Sequence, residues 1–118
     1  MNTEIINQGD TWKPKIAVKK IDALTLVESA FNCEGYTAYL IMKKGVNETL
    51  PEISRLIVAW TAQSSGAGYF TLPNSVTKTL HPIRYAYEVK LQKDDSSELI
   101  TINQGYLTVL PALKKDYI

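Results

Sequence analysis

The chain has 118 residues, 45% of them apolar, and thirteen basic against twelve acidic side chains give it a net charge of +1. That size and apolar share fit a single domain, residues 1–118, with one core, and the charges are spread rather than gathered into the basic footprint of a nucleic-acid or membrane-surface binder. The longest apolar stretch, Leu56–Trp60, is far short of the roughly 18 residues of a membrane span, and Met1–Glu4 lacks a basic-then-apolar leader, so a soluble, unexported protein is expected.

In chain order, the first candidate element is Asp10–Lys19. It keeps Trp12, Pro14, Ile16 and Val18 on one parity, but Pro14 cannot donate to a ladder, which predicts an edge strand or a broken one. Ala23–Phe31 is ambiguous. Leu24, Val27 and Phe31 have helical spacing, whereas Thr25 and Val27 favour a strand. Gly35–Lys43 reads as a strand with Ala38, Leu40 and Met42 on one face and Thr37, Tyr39, Ile41 and Lys43 on the other.

Ser54–Ala62 reads as another strand, with Leu56, Val58 and Trp60 on one parity. The small residues Ser64–Gly68 then turn the chain into Tyr69–Pro73. Ser75–Leu80 suggests a one-turn helix capped by Asn74 or Ser75 and stopped by Pro82. Arg84–Gln92 has the clearest alternation: Tyr85, Tyr87, Val89 and Leu91 oppose Arg84, Glu88, Lys90 and Gln92, which a helix would scatter.

Lys93–Ser97 is a polar turn, and Glu98–Asn103 alternates again with β-branched residues, which together predict a hairpin. Ile100 and Ile102 are even-numbered whereas Leu107 and Val109 are odd, so a β-bulge is predicted at Gly105 in one long strand that ends at Pro111. Short strands at these spacings predict an all-β antiparallel sandwich with one or two short helical turns.

Chemistry-bearing residues are sparse. Cys33 is the only cysteine, so an internal disulfide and a thiolate cluster are both excluded and a reducing compartment is the simplest setting. His81, the sole histidine, lies far along the chain beside Pro82, and a buried thiol and a loop histidine are expected rather than a nucleophile and its base. Gly66 and Gly68 lack the G-K-[ST] of a phosphate loop and read as a turn. Glu28, Glu34, Glu48 and Glu52 fall in or beside loops, which suggests a solvated surface rather than a catalytic carboxylate pair.

Asp94, Asp95, Ser96 and Ser97 concentrate oxygen ligands without calcium-loop spacing and read as a charged turn. No catalytic residue, metal ligand set or cofactor is therefore predicted, and the protein is expected not to be an enzyme. Seven tyrosines and two tryptophans leave an aromatic contact face as the functional candidate. Tyr85, Tyr87 and Trp60 belong to the expected core. Tyr39 and Ile41, on the outward parity of their strand, and Tyr106, opposite Leu107, form the candidate interface. A second sheet layer covering them is the competing reading.

The order Gln8-Gly9-Asp10-Thr11, Gly35-Tyr36-Thr37-Ala38, Gly68-Tyr69-Phe70-Thr71-Leu72-Pro73, Tyr85-Ala86-Tyr87-Glu88-Val89 and Gly105-Tyr106-Leu107-Thr108-Val109 resembles small immunoglobulin-like domains of tailed bacteriophages. Among these it is similar to the N-terminal domains of siphophage upper baseplate proteins, which anchor receptor-binding apparatus to the tail. The resemblance implies an immunoglobulin-like sandwich acting as a tail- or baseplate-associated virion structural protein, made in the bacterial host cytoplasm. Its implied partners are other phage structural proteins, with self-association through edge strands and outward aromatics, and neither nucleic acid nor membrane. Val18–Gly35 is longer than the short turn this family pattern leads one to expect, and the chain's end soon after Val109 suggests a free-standing domain. The alternative is a carbohydrate-binding module in which Tyr39 and Tyr106 stack on sugar rings. An enzyme with dispersed acids comes third, with no positive feature behind it.

Overall fold

The computed structural model describes residues 2–45 and 50–112. The chain is all-β, and its strands fall into three sheets. The largest is built from β1 (Asn2–Asn7), β5 (Tyr36–Lys43), β6 (Ser54–Ile57), β9 (Arg84–Lys93) and β10 (Leu99–Leu110), in the order β1-β10-β9-β5-β6. A three-stranded sheet runs β2-β8-β7, from β2 (Lys15–Ala17), β7 (Ala59–Ala62) and β8 (Ala67–Tyr69). The third is a two-stranded ribbon of β3 (Lys19–Ile21) and β4 (Glu28–Ala30). All ladders are antiparallel except one: β1 runs parallel to the second half of β10, from Asn2 opposite Gly105 to Asn7 opposite Leu110.

The alternation read from the sequence builds the core. Ala38, Leu40 and Met42 of β5 and Tyr85, Tyr87, Val89 and Leu91 of β9 are buried, as are Leu107 and Val109 of β10. They share one apolar cluster with Trp12, Val18, Phe70 and Leu72 from the other side, so the two larger sheets have a common interior. Trp12 meets Tyr87 edge to face at 5.3 Å between ring centroids, and its Nε1 donates to Glu4 Oε2 at 2.8 Å, which satisfies the polar end of a buried indole. Trp60 is only half-buried and packs at the margin of the cluster, not in the core where it was expected.

The structure corrects several boundaries. Ser54–Ala62 is two strands rather than one. The chain leaves the large sheet after Ile57 and enters the small one at Ala59, with the Val58 N–H donating to the Ala38 carbonyl at the crossing. The bulge lies at Ile102, not Gly105: Thr101 opposes Lys90 and Asn103 opposes Val89, leaving Ile102 as the extra residue. Gly105 is in register opposite Tyr87.

The predicted edge strand is both edge and broken. Trp12 forms an isolated bridge to Leu72, Pro14 interrupts, and β2 then closes the side of the small sheet. The one-turn helix is α1 (Asn74–Thr77), with Pro73 rather than Asn74 or Ser75 at its N-cap and no side-chain cap. Buried Thr77 fastens it by donating from Oγ1 to the Asp10 carbonyl at 2.7 Å.

The residues of Ala23–Phe31 form no helix. They contain the turn and second strand of the ribbon, whose first strand directly follows β2. Gly66 secures the root of this ribbon. Its φ is +72°, and a Cβ there would stand 2.6 Å from the Val18 carbonyl oxygen and 2.8 Å from that of Phe31. Its own carbonyl accepts from the Val18 N–H at 2.9 Å.

Candidate functional site

Tyr39, Ile41 and Tyr106 all lie on the outer face of the five-stranded sheet, and all three are half-buried. Tyr39 is flanked across its strands by Lys90 and Ile57, and Ile41 by Glu88 and Arg55. Tyr106 stands two strands away, between Ala86 and Thr3. No second layer covers them among the described residues; they are shielded by their own neighbours. The Arg84 guanidinium lies over the Tyr106 ring at 4.3 Å, and that of Arg55 stands 5.9 Å from the Tyr39 ring, so charged groups occupy part of the aromatic surface.

A polar network separates the two halves of this face. Lys90 Nζ lies 3.2 Å from Glu88 Oε1, and the Thr101 hydroxyl donates to the same oxygen at 3.1 Å. Partial desolvation works to raise the Glu88 carboxyl, but hydrogen bonds from Lys90, Thr101 and Gln104, with the charge of Lys90, hold it below its ordinary value. The three candidate residues thus share a face without forming one patch. Two exposed aliphatics lie beside them, Ile5 and Ile57; the sequence reading put Ile57 on the outward parity of Ser54–Ala62 without singling it out and did not read Ile5, which falls in a short edge strand.

The other candidates are tied into the fold. Cys33 is buried; its Sγ donates to the Phe31 carbonyl at 3.6 Å, and burial pushes the thiol up, away from thiolate chemistry. His81 is exposed and precedes the start of β9, whereas Cys33 lies beside the start of β5, which pairs with the far end of β9. A ten-residue strand places the two roughly 30 Å apart. In the β9–β10 turn, Asp94 Oδ1 accepts from the Thr37 hydroxyl at 2.9 Å and Asp95 Oδ1 from the Ser97 N–H at 2.9 Å, so both carboxylates brace the turn. Glu28 faces Lys19 at 3.7 Å, and Glu52 makes an ion pair with Arg55; Glu34 is exposed, and Glu48 lies outside the described residues.

The ribbon of β3 and β4 is a different kind of surface. Every residue from Lys19 to Ala30 is exposed, and the two strands pair with each other alone. At its tip Asp22 Oδ1 accepts from the N–H groups of Leu24 and Thr25, at 2.8 and 3.0 Å, while the Asp22 carbonyl accepts from Leu26 at 2.8 Å. Those backbone N–H groups, Thr25 first, hold the Asp22 carboxyl below its ordinary value. Leu26 takes φ = 58°, a left-handed conformation unusual for a branched residue. The result is a fixed arm with Leu24 at its apex, 94% exposed, flanked by exposed Ile21, Leu26 and Val27.

A groove of about 440 Å³ lies at the base of this arm, between Lys15–Lys19 and Ile100–Asn103. Both walls are strand edges left unpaired among the described residues. β2 closes one side of its sheet, and β1 covers β10 only from Gly105 onward. No helix among the described residues is long and apolar enough to cross a membrane. The chain matches no model of a known protein family and no curated protein.

Proposed function

We propose that this chain is an immunoglobulin-like sandwich serving as a non-enzymatic structural adaptor of a phage or prophage particle, at the tail or baseplate, acting through protein–protein contacts. The observation that carries the fold half is the Tyr85 corner. Tyr85 stands near the start of β9, after the helical corner that follows β8, and its hydroxyl donates back to the His81 carbonyl at 3.1 Å. That is the place and direction of the tyrosine corner of immunoglobulin domains.

The strand order supports the same reading. β5, β9 and β10 stand where strands C, F and G would, with β6 at the C′ edge, and β2, β8 and β7 follow the order B, E, D. Two departures accompany it: there is no cysteine pair across the sheets, and the buried indole, Trp12, does not come from the C-like strand.

The particle half of the proposal rests on the order of sequence motifs, and the arm gives such an adaptor a preformed contact surface. Sugar stacking is the weaker reading, because the Arg84 guanidinium occupies a face of Tyr106. The test is to induce the phage or prophage that encodes the chain and purify particles on a gradient. The chain is expected to co-purify with tail proteins in constant proportion; its absence from intact particles would overturn the proposal.

A further inference from the structure

The geometry points to self-association of this chain, with the β3–β4 arm of one copy seated in the groove between β2 and β10 of a second copy. The inference rests on the adaptor reading for its role, although its test concerns the isolated chain.

Among the described residues the arm takes no part in the packing of its own domain. None of its residues belongs to the apolar cluster or lies against it, and a two-stranded ribbon alone is marginal in water. Yet it is built with care for its shape, through the Asp22 bonds and the left-handed Leu26. The described chain measures 51 × 32 × 29 Å with a radius of gyration of 15.7 Å, against about 13–14 Å for a compact domain of this length. Leu24, 94% exposed at the arm apex, faces away from the domain.

The groove has the complementary features. Ile16, Ile100 and Ile102 pack against the core cluster and also line the groove, where their remaining exposed surface offers apolar contact, and the two strand edges, unpaired among the described residues, offer main-chain donors and acceptors to an extended strand. Among the described residues β3 and β4 each have one unpaired side, and each is three residues long, the same length as β2. Charge fits as well. The Asp22 carboxylate stands at the arm tip, and Lys15, which has no ion-pair partner among the described residues, stands in the groove.

A second copy is the favoured occupant because one chain carries both halves and places them side by side. The groove ends at Lys19, where the arm begins. A two-fold axis between copies would therefore let each arm enter the other's groove, satisfying both edges with a closed, self-complementary contact.

The full chain should form a concentration-dependent dimer in sedimentation velocity between about 1 and 100 µM. Leu24→Asp should weaken that dimer at least about thirty-fold, as expected for a central apolar anchor, while leaving the thermal midpoint of the monomer unchanged. Asp22→Asn, which keeps the oxygen that accepts from Leu24 and Thr25, and Lys15→Met should each weaken it several-fold, and together no more than either alone. Mixing Leu24→Cys with Thr101→Cys should trap a disulfide between the two chains under mild oxidation, since native Cys33 is buried.

A wild-type chain that stays monomeric throughout would overturn the inference. So would a dimer indifferent to Leu24→Asp, or one trapped as a Leu24→Cys pair, with arm against arm. None of these outcomes bears on whether the chain is found in particles, so the two proposals fail separately.

Discussion

Two hairpins in this molecule solve the same local problem and meet opposite fates. In the β9–β10 turn, Asp95 accepts from the Ser97 N–H and Ser96 takes φ = 63°. In the β3–β4 turn, Asp22 accepts from Leu24 and Thr25 and Leu26 takes φ = 58°. Both turns use an aspartate to hold backbone donors and a non-glycine residue in the left-handed region. The strands that follow differ entirely. β9 and β10 put Tyr85, Tyr87, Val89, Leu91, Leu107 and Val109 into the core, whereas β3 and β4 bury nothing. Turn chemistry therefore shapes a hairpin, and burial of one face decides whether the hairpin is structural. The arm keeps its shape without contributing to the core.

The largest test of this contrast is a pair of truncations. Leu91→Ala removes a side chain that is 1% exposed and should cost about 2–5 kcal/mol in urea unfolding, whereas Leu24→Ala at the arm apex should fall within about 0.5 kcal/mol of wild type. A large effect at Leu24 at a concentration where the chain is monomeric would mean that the arm packs on its own domain. Gly66→Ala comes next. The new Cβ would strike the carbonyls of Val18 and Phe31, the two residues that root the arm, and force a left-handed backbone on alanine, for about 1–3 kcal/mol. Crosspeak shifts in an amide NMR spectrum should spread from Gly66 into the arm and spare β9 and β10. Tyr85→Phe is smaller. Losing the bond to the His81 carbonyl, which still accepts from the Ile83 N–H at 2.8 Å, should cost about 1 kcal/mol in the same unfolding assay.

The same contrast explains what could be read from the sequence. β5 and β9 were legible because each has a run of eight or more residues with one face buried, and such burial imposes a strict period of two. The shift of phase in β10 was legible as a bulge but not in place. Glycine marks backbone freedom, whereas the ladder broke where two isoleucines, Ile100 and Ile102, both turned to the apolar cluster before the register changed. β1 escaped notice because it is a short parallel edge whose partner lies a hundred residues away.

The arm was the hardest to read. Its residues face water on both sides, so no burial imposed a period on Leu24, Leu26 and Val27, and the resulting mixture of helical and extended signals reflects the absence of a core contact. Of the outward residues, Tyr39, Ile41 and Tyr106 were placed on the correct face by parity. Parity carries no information about the Arg84 guanidinium that covers one of them.

The smallest expected effect separates the two turns by pH. The Asp22 and Asp95 carboxyls both lie below the usual value of 3.8, Asp22 through the N–H groups of Thr25 and Leu24, Asp95 through its bonds with Ser97. A carboxyl depressed in the folded state stabilises it fully above the unfolded value, and that contribution is lost as pH falls through the lower folded value. Between about pH 6 and the lowest pH at which the chain stays folded, protonation of both aspartates should therefore loosen their turns, but with different consequences. The β9–β10 turn is held by the core strands on either side and should keep its amide protection. Among the described residues the arm has only its ribbon bonds and one exposed ion pair, Lys19 with Glu28, so the amides of Leu24 and Thr25 should lose protection first. Hydrogen exchange at the two pH values would measure this directly. Equal loss at both turns would mean that the core does not hold the β9–β10 hairpin from within, and loss at neither would mean that the arm is held by contacts beyond its own turn.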